Sequence, residues 1–260
     1  MIKRLLLCLV LLTATATAGA TDYTDIWYVP AESGWGANVV QSDNFLFVTF
    51  FIYGTDNKPT WYTAQLTLDA SGNYNGNLYA TTGTYYASPW KPTDQTTAQV
   101  GTASFQPTSA YTAKLIYIVT TPPALAGAIT KSIQRQALTP ITIGGSYIGA
   151  QSGAYSGCSS GSNNGIYSDY FTLQVSQSTS GSVTFTFAYQ TLNCTFAGIL
   201  TQFGQLYTIP TTTYQCSDGL NTNASMTEIK ATSLGLEGRF SAPNVGAGCR
   251  EDATFSAVLH

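Results

Sequence analysis

The sequence predicts an all-β protein of two consecutive antiparallel meanders, about eight strands each, closed as barrels or folded as sandwiches. Three observations predict it. Helical periodicity is nearly absent, while short strand-like runs separated by Gly, Asn, Asp or Pro recur along the chain. Within many of those runs apolar and polar residues alternate, the period of a sheet with one wet face. Only 9% of residues are charged and 13% are aromatic, a balance that favours β-rich exported proteins over helical cytosolic ones.

The first twenty residues stand outside this pattern. Lys3 and Arg4 precede the apolar run from Leu5 to Leu12, and Ala18-Gly19-Ala20 forms a small-residue cleavage site before Thr21. Residues 1–20 therefore read as a signal peptide, its apolar part too short to span a bilayer. The expected location is periplasmic or secreted. Without this segment four of the five cysteines remain: Cys158, Cys194, Cys216 and Cys249. An even number in an exported chain reads as two disulfides, and the wide spacing is unlike the close pairs of zinc sites. Eight basic residues then face thirteen acidic ones, which leaves no electrostatic footprint for nucleic acid. No later segment is apolar for long enough to form a transmembrane helix.

Trp27, Trp35, Trp61 and Trp90 all precede the four mature cysteines. We therefore expect a Trp-rich β domain over 21–139 and a disulfide-bearing β domain over 140–260, joined near "TPITIGG" (139–145). In the first, the strands are expected at 26–29, 35–41, 44–53, 60–68, 73–80, 97–106, 110–120 and 126–135. Turns such as "QSDN" and "DASGN" are short enough to make neighbours antiparallel. In the second they are expected at 145–150, 167–177, 182–190, 194–202, 205–216, 225–232, 235–241 and 252–259.

Two strand patterns carry more detail. Around "STSG", Phe171, Leu173 and Val175 share a parity, as do Val183, Phe185 and Phe187, so that hairpin has one buried face. In "FLFVTFFIYG", Leu46, Val48, Phe50 and Ile52 point one way and Phe45, Phe47, Phe51 and Tyr53 the other. A strand apolar on both faces is expected to be covered twice, the second time by the other domain, a partner or a ligand cavity, of which packing of the other domain is the preferred reading. Four cysteines allow three connectivities. A hairpin centred near Phe203-Gly204-Gln205 places Cys194 opposite Cys216, which leaves Cys158 for Cys249. Pro210 interrupts the second arm and requires a bulge there.

The stretch "PAESGWGANVV" (Pro30 to Val40) suits a turn that seats Trp35 on the same face as Ala37 and Val39. Glu32 is expected to pin that turn through backbone N–H groups. The longer segment "WYVPAESGWGANVVQSDNFLFVTFFIYGTDNKPTWY" (27–62) resembles exported bacterial β-rich proteins carrying a P-x-E-S-G-W-G motif. "TKSIQRQ" is similar to the usual end of that domain, and "CTFAGILTQFGQL" and "YQCSDG" to a cysteine-bearing domain often joined to it. The family has no established activity, so the resemblance carries over no catalytic residue. Glu32, Ser33, Gly34, Trp35 and Gly36 are read as a structural motif.

Scarcity excludes several chemistries. The only histidine is His260, so Ser33 has no triad partner and histidine-based metal sites are excluded. "ESGWG" is not a nucleophile elbow, and no pattern supports a Ser–Lys dyad with Lys58 or Lys114. "DASGNYNG" has Ala80 where a calcium loop needs a bidentate Glu, so it reads as a hairpin turn. No catalytic residue, metal or cofactor is expected. Glu32 with Asp25, Asp43 or Asp56 could form the carboxylate pair of a hydrolase, but thirteen acids place some pair together by chance.

What remains is aromatic recognition. The loop "TTGTYYASPWKPTDQ" (81–95) carries Tyr85, Tyr86 and Trp90 and is long for a compact β domain. The reading is an exported non-catalytic protein binding a glycan or small amphipathic ligand through Trp90, Tyr85, Tyr86, Trp61 and Trp35. Against it stands a loop folded back to plug a barrel end. The alternatives in function are a structural or protein-interaction module of the cell envelope that uses strand 45–53, and a carboxylate-dependent hydrolase.

Overall fold

The computed structural model describes residues 21–260; the signal peptide expected over residues 1–20 lies outside the described residues. The first barrel comprises β1 (Asp25–Tyr28), β2 (Gly36–Ser42), β3 (Phe45–Tyr53), β4 (Pro59–Leu68), β5 (Tyr74–Thr82), β6 (Thr96–Pro107), β7 (Thr112–Val119) and β8 (Gly127–Arg135). Each strand pairs antiparallel with the next. β1 pairs back onto β8 through Trp27↔Arg135 and Tyr28↔Gln134, which closes the sheet and removes its edges.

The second sheet comprises β9 (Gly145–Ser156), β10 (Gly165–Gln177), β11 (Ser182–Ala188), β12 (Asn193–Ile199), β13 (Thr201–Phe203), β14 (Leu206–Cys216), β15 (Asn221–Ala231), β16 (Gly235–Ala242) and β17 (Arg250–Leu259). β17 pairs with β9, and β12 with β14, so this sheet also closes. The expected strand 194–202 is split into β12 and β13 because Leu200 turns its N–H to the Gly181 carbonyl. Gly198 faces Thr212 but Thr201 faces Thr208, so β14 carries one extra residue around Pro210. Proline lacks the N–H a ladder needs, and the bulge expected there is present. Counting β12 and β13 as one interrupted strand, each barrel is an eight-stranded meander.

Parity decides what is inside. Trp27, Val39, Leu46, Val48, Phe50, Leu66, Phe105 and Leu115 fill the first barrel. Phe105 meets Trp27 edge to face with ring centres 5.0 Å apart. In the second, Leu173 faces Phe187 and Val175 faces Phe185, all buried. Each such side chain removed from water contributes about 1.5–3 kcal/mol. The two bridges are Cys194–Cys216 and Cys158–Cys249, and the first joins directly opposed residues of β12 and β14.

The barrels meet through a buried ion pair. Asp25 shares the inward parity of Trp27, and Arg135 that of Ile133. Arg135 Nη1 lies 3.2 Å from Asp25 Oδ2, and its guanidinium sits 5.0 Å from the Trp27 ring centre. It also donates to the carbonyls of Ala110, Thr24 and Asp22. From the second barrel, the turn between β13 and β14 covers this pair: Gln205 N–H donates to Asp25 Oδ2 at 3.1 Å. Gly204 has φ of 62°, and a Cβ there would sit 2.1 Å from Asp25 Oδ2, so only glycine fits. Tyr111 stacks near Phe203 at 5.1 Å and accepts the Glu228 N–H at 2.8 Å.

One expectation is corrected. The outward side of β3, carrying Phe45, Phe47, Phe51 and Tyr53, is exposed and is not covered by the second barrel. The second barrel docks on the end of the first, where Asp25, Tyr111 and Arg135 lie, and not on its flank.

Two predictions follow from this frame. Replacing Arg135 by Met leaves Asp25 buried and unpaired; denaturant unfolding will show a loss of about 3–5 kcal/mol. Removing Cys158–Cys249, whose partners are 91 residues apart, will cost about 4–5 kcal/mol by loop entropy, against about 3 kcal/mol for Cys194–Cys216, separated by 22. Calorimetry of the two Cys→Ala pairs checks that order.

Candidate functional site

In an up-and-down barrel alternate connections emerge at the same end. The β1–β2, β3–β4, β5–β6 and β7–β8 connections therefore share the end of the first barrel that faces away from the second. This end holds the motif. Glu32 accepts the Trp35 indole N–H at 2.8 Å and the Lys131 ammonium at 2.6 Å, and Lys131 stands 5.4 Å from the Trp35 ring centre. Those two hydrogen bonds, Lys131 first, hold the Glu32 carboxyl below its ordinary range. Glu32 thus pins the turn through side chains, not through the backbone N–H groups expected. Gly34 has φ of 99° and rests against the Tyr53 ring, Gly36 leaves room beside the Trp27 carbonyl, and Ser33 is exposed.

The same end carries the other aromatic candidates, and the structure separates their roles. Trp35 is partly buried against the core, while Trp61 stands on the outer face opposite Phe51. Tyr85, Tyr86 and Trp90 project into solvent, Tyr86 at 91% exposure, so the loop does not plug the barrel. Its base is tied by Thr84, whose Oγ1 accepts from Lys91 N–H at 2.9 Å and donates to the Lys91 carbonyl at 3.0 Å. At the opposite end, the β4–β5 turn at Asp69 is the hairpin expected: its carboxylate caps the Ser71 and Asn73 N–H groups. Of the carboxylates set beside Glu32, Asp25 is consumed by Arg135 and lies at the opposite end, as does Asp43 in the β2–β3 turn. Asp56 is in the β3–β4 turn at the Glu32 end and pairs with Lys58 at 3.8 Å.

A built cavity lies elsewhere. The β9–β10, β11–β12, β14–β15 and β16–β17 connections share the end of the second barrel remote from the first, and both disulfides lie there. Between them opens a cavity of about 350 Å³ whose walls include Tyr155, Tyr167, Tyr189, Tyr214 and Glu251. Glu251 is only 2% exposed. Its Oε1 accepts from the Tyr167 hydroxyl and its Oε2 from the Tyr214 hydroxyl at 3.3 Å. The Tyr189 hydroxyl donates to Gln151 Oε1 at 2.7 Å. Tyr155 and Tyr167 stack at 5.0 Å, and Tyr214 stacks on Phe196 at 4.2 Å. Gly153 allows this: a Cβ there would come within 2.6 Å of the Tyr167 ring.

The electrostatics are one-sided. Asp25, Arg135 and Glu251 are the buried acidic and basic side chains among the described residues; the first two neutralise each other, and Glu251 has no ion pair among those residues. Burial pushes its carboxyl up, opposed by the phenols that hydrogen-bond to the charged form. Burial first, then the field of Glu251, pushes the Tyr155 phenol up to about 12, and Tyr167, Tyr189 and Tyr214 also rise. Asp169 is the other charged residue on the wall, and no Lys, Arg or His lines the cavity. Two larger hollows, about 660 and 1180 Å³, include Arg239 together with carboxylates, so both signs are present there.

Sequence reasoning missed this constellation because its members come from five separate elements. One signal was readable. In "REDATFSAVL" Glu251 sits on the inward parity of Ala253, Phe255 and Ala257, a charge where an apolar residue belongs.

Fold and site together define a tandem pair of closed antiparallel barrels with a tyrosine-walled acidic cavity at one pole. No family model and no curated protein matches the chain. Among solved structures, a protein of unknown function from the DUF3598 family of Nostoc punctiforme aligns over 90% of this chain and 93% of that one. The identity is 9% and the TM-score 0.30, too low to carry any argument.

A raised Glu251 pKa means the folded state holds its proton longer than the unfolded chain. Its effect on stability is therefore least adverse below the ordinary value of 4.5 and grows as pH rises through the window above it. Glu32 acts oppositely: its depressed pKa supplies stability above that value, lost as pH falls. Thermal unfolding against pH will show the decline above pH 4.5, and Glu251→Gln will flatten that limb alone. The phenols of Tyr155, Tyr167, Tyr189 and Tyr214 are all raised and stay protonated through that window.

Proposed function

We propose that this is an extracytoplasmic binding protein that holds a small amphipathic ligand in the tyrosine-walled cavity of the second barrel and does not convert it. One observation carries this reading: a buried carboxylate without an ion pair faces a cavity built of rings. Such a group is costly to bury and marks a candidate site for a bound partner or a reaction. The lone histidine, His260, ends β17 at the opposite end of the barrel from this cavity, so it supplies no base there. The wall is mixed: the tyrosine rings and Leu192 stand beside Gln151, Ser168, Asp169, Gln190, Thr191 and Glu251, so polar groups are available to orient a ligand. Placement outside the cytoplasm is supported by the two disulfides and by the signal-like segment 1–20. The likeness of 27–62 to exported proteins with the E-S-G-W-G motif agrees with it.

A second reading has its own observation. Phe45, Phe47, Phe51, Tyr53 and Trp61 form an exposed stripe on β3 and β4 of the first barrel, and Trp90, Tyr85 and Tyr86 stand at its end. This surface suits a glycan or an envelope protein, and it makes the first barrel an attachment module beside a ligand-binding second barrel.

Every tryptophan lies in the first barrel, so tryptophan emission reports on that barrel and a thermal-shift screen is needed for the other. In a panel of saccharides, amino acids and amines, a ligand of the cavity will raise Tm in wild type and in Trp90→Ala. It will not do so in Thr191→Trp, which places a ring at the cavity wall. Loss in Trp90→Ala with retention in Thr191→Trp would assign binding to the first barrel instead.

A further inference from the structure

We infer that the cavity of the second barrel is an aromatic cage for a methylated ammonium group, with Glu251 as its counter-charge. The inference rests on the binding reading above and names the ligand class. Charge is the first argument. The walls carry Glu251 and Asp169, and Asp218 lies on the neighbouring β14–β15 turn; among the described residues no basic side chain lines the cavity. An anion is repelled from such a site, and a neutral ligand leaves Glu251 unbalanced. A cation supplies the missing charge.

The walls say which kind of cation. Five tyrosines, Tyr155, Tyr167, Tyr170, Tyr189 and Tyr214, line this small space. Ring faces attract quaternary and methylated ammonium groups through their quadrupole, most strongly where water is excluded. A primary ammonium carries three N–H donors and needs strong acceptors for them. Here the buried acceptors each already hold one phenol, Tyr167 and Tyr214 on Glu251 and Tyr189 on Gln151 Oε1, which leaves Asp169 as the carboxylate at the rim. A quaternary nitrogen carries no N–H and asks for no hydrogen bond. The phenol hydroxyls hold the carboxylate in place; one face of Tyr167 packs on Tyr155 and one face of Tyr214 on Phe196, so a ligand would meet the remaining face or edge of each ring. Gly153 and Phe196 keep two of those rings, Tyr167 and Tyr214, in position. The volume, about 350 Å³, suits a headgroup of choline or trimethylglycine size and not a folded peptide.

The experiment titrates the full mature protein by calorimetry with choline and with its neutral isostere 3,3-dimethylbutan-1-ol, in which carbon replaces the charged nitrogen. Choline is expected to bind about tenfold or more tightly than the isostere, with ethanolamine weaker than choline. Glu251→Gln is expected to remove the preference for charge. Because that variant alters the buried network, Asp169→Asn at the exposed rim provides a second check: choline affinity falls while Tm is unchanged. Equal affinity for choline and the isostere overturns the cation assignment and leaves the cavity as a ligand site. Binding of ethanolamine as tight as choline overturns the methylated class. If neither probe binds and no compound of the thermal-shift panel binds either, both the cage and the binding reading fall.

Discussion

Closure of each sheet on itself is the constraint on which the rest of the molecule depends. Once β1 pairs with β8, and β12 with β14, every strand has two neighbours and the alternation of side chains has only two destinations, the lumen or the outside. The lumens are filled by Trp27, Phe50, Phe105, Phe185, Phe187 and Phe196, among others. The space left for chemistry is therefore the two ends and the outer faces. Both ends that meet are used for docking; both ends that do not meet carry unusual residues.

The inward ionisable groups show how such a design treats charge. Asp25 and Arg135 face inward at the junction and are balanced by each other, by three backbone carbonyls and by the Gln205 N–H from the other barrel. This pair gives the docked arrangement a specific register because Gly204 must sit against it without a side chain. Lys131, on the same strand as Arg135, faces the opposite end and is balanced by Glu32. Glu251 breaks the sequence: it is stabilised by phenol hydroxyls and by no cation. The contrast is between a carboxylate balanced by a cation and one held by phenol hydroxyls alone.

Much of the architecture was legible in the chain. The strand runs and short turns gave sixteen of the segments that pair, because period-two alternation and turn residues are local properties. The Cys194–Cys216 pairing followed from one hairpin and one Pro210 bulge, both short-range. The division of "FLFVTFFIY" into Leu46, Val48 and Phe50 inward and Phe45, Phe47 and Phe51 outward was also local, and burial agrees with it. What covers the outward set was not: the second barrel was expected there and instead sits on the end. Docking is set by Asp25, Arg135, Gly204 and Glu228, four residues far apart in sequence whose meeting no local pattern encodes.

The sequence by itself determined the strands, their alternation, the shortage of histidine and charge, and a motif whose Glu32 and Trp35 lie three residues apart. These are short-range facts, and short-range sterics and solvation are enough to decide them. Only the tertiary structure decided which ring meets which carboxylate. Tyr155, Tyr167, Tyr189, Tyr214 and Glu251 come from β9, β10, the β11–β12 turn, β14 and β17, and they become one site because the sheet curls through a full circle. Closure converts distance along the chain into proximity across a lumen, and that conversion depends on every strand between them.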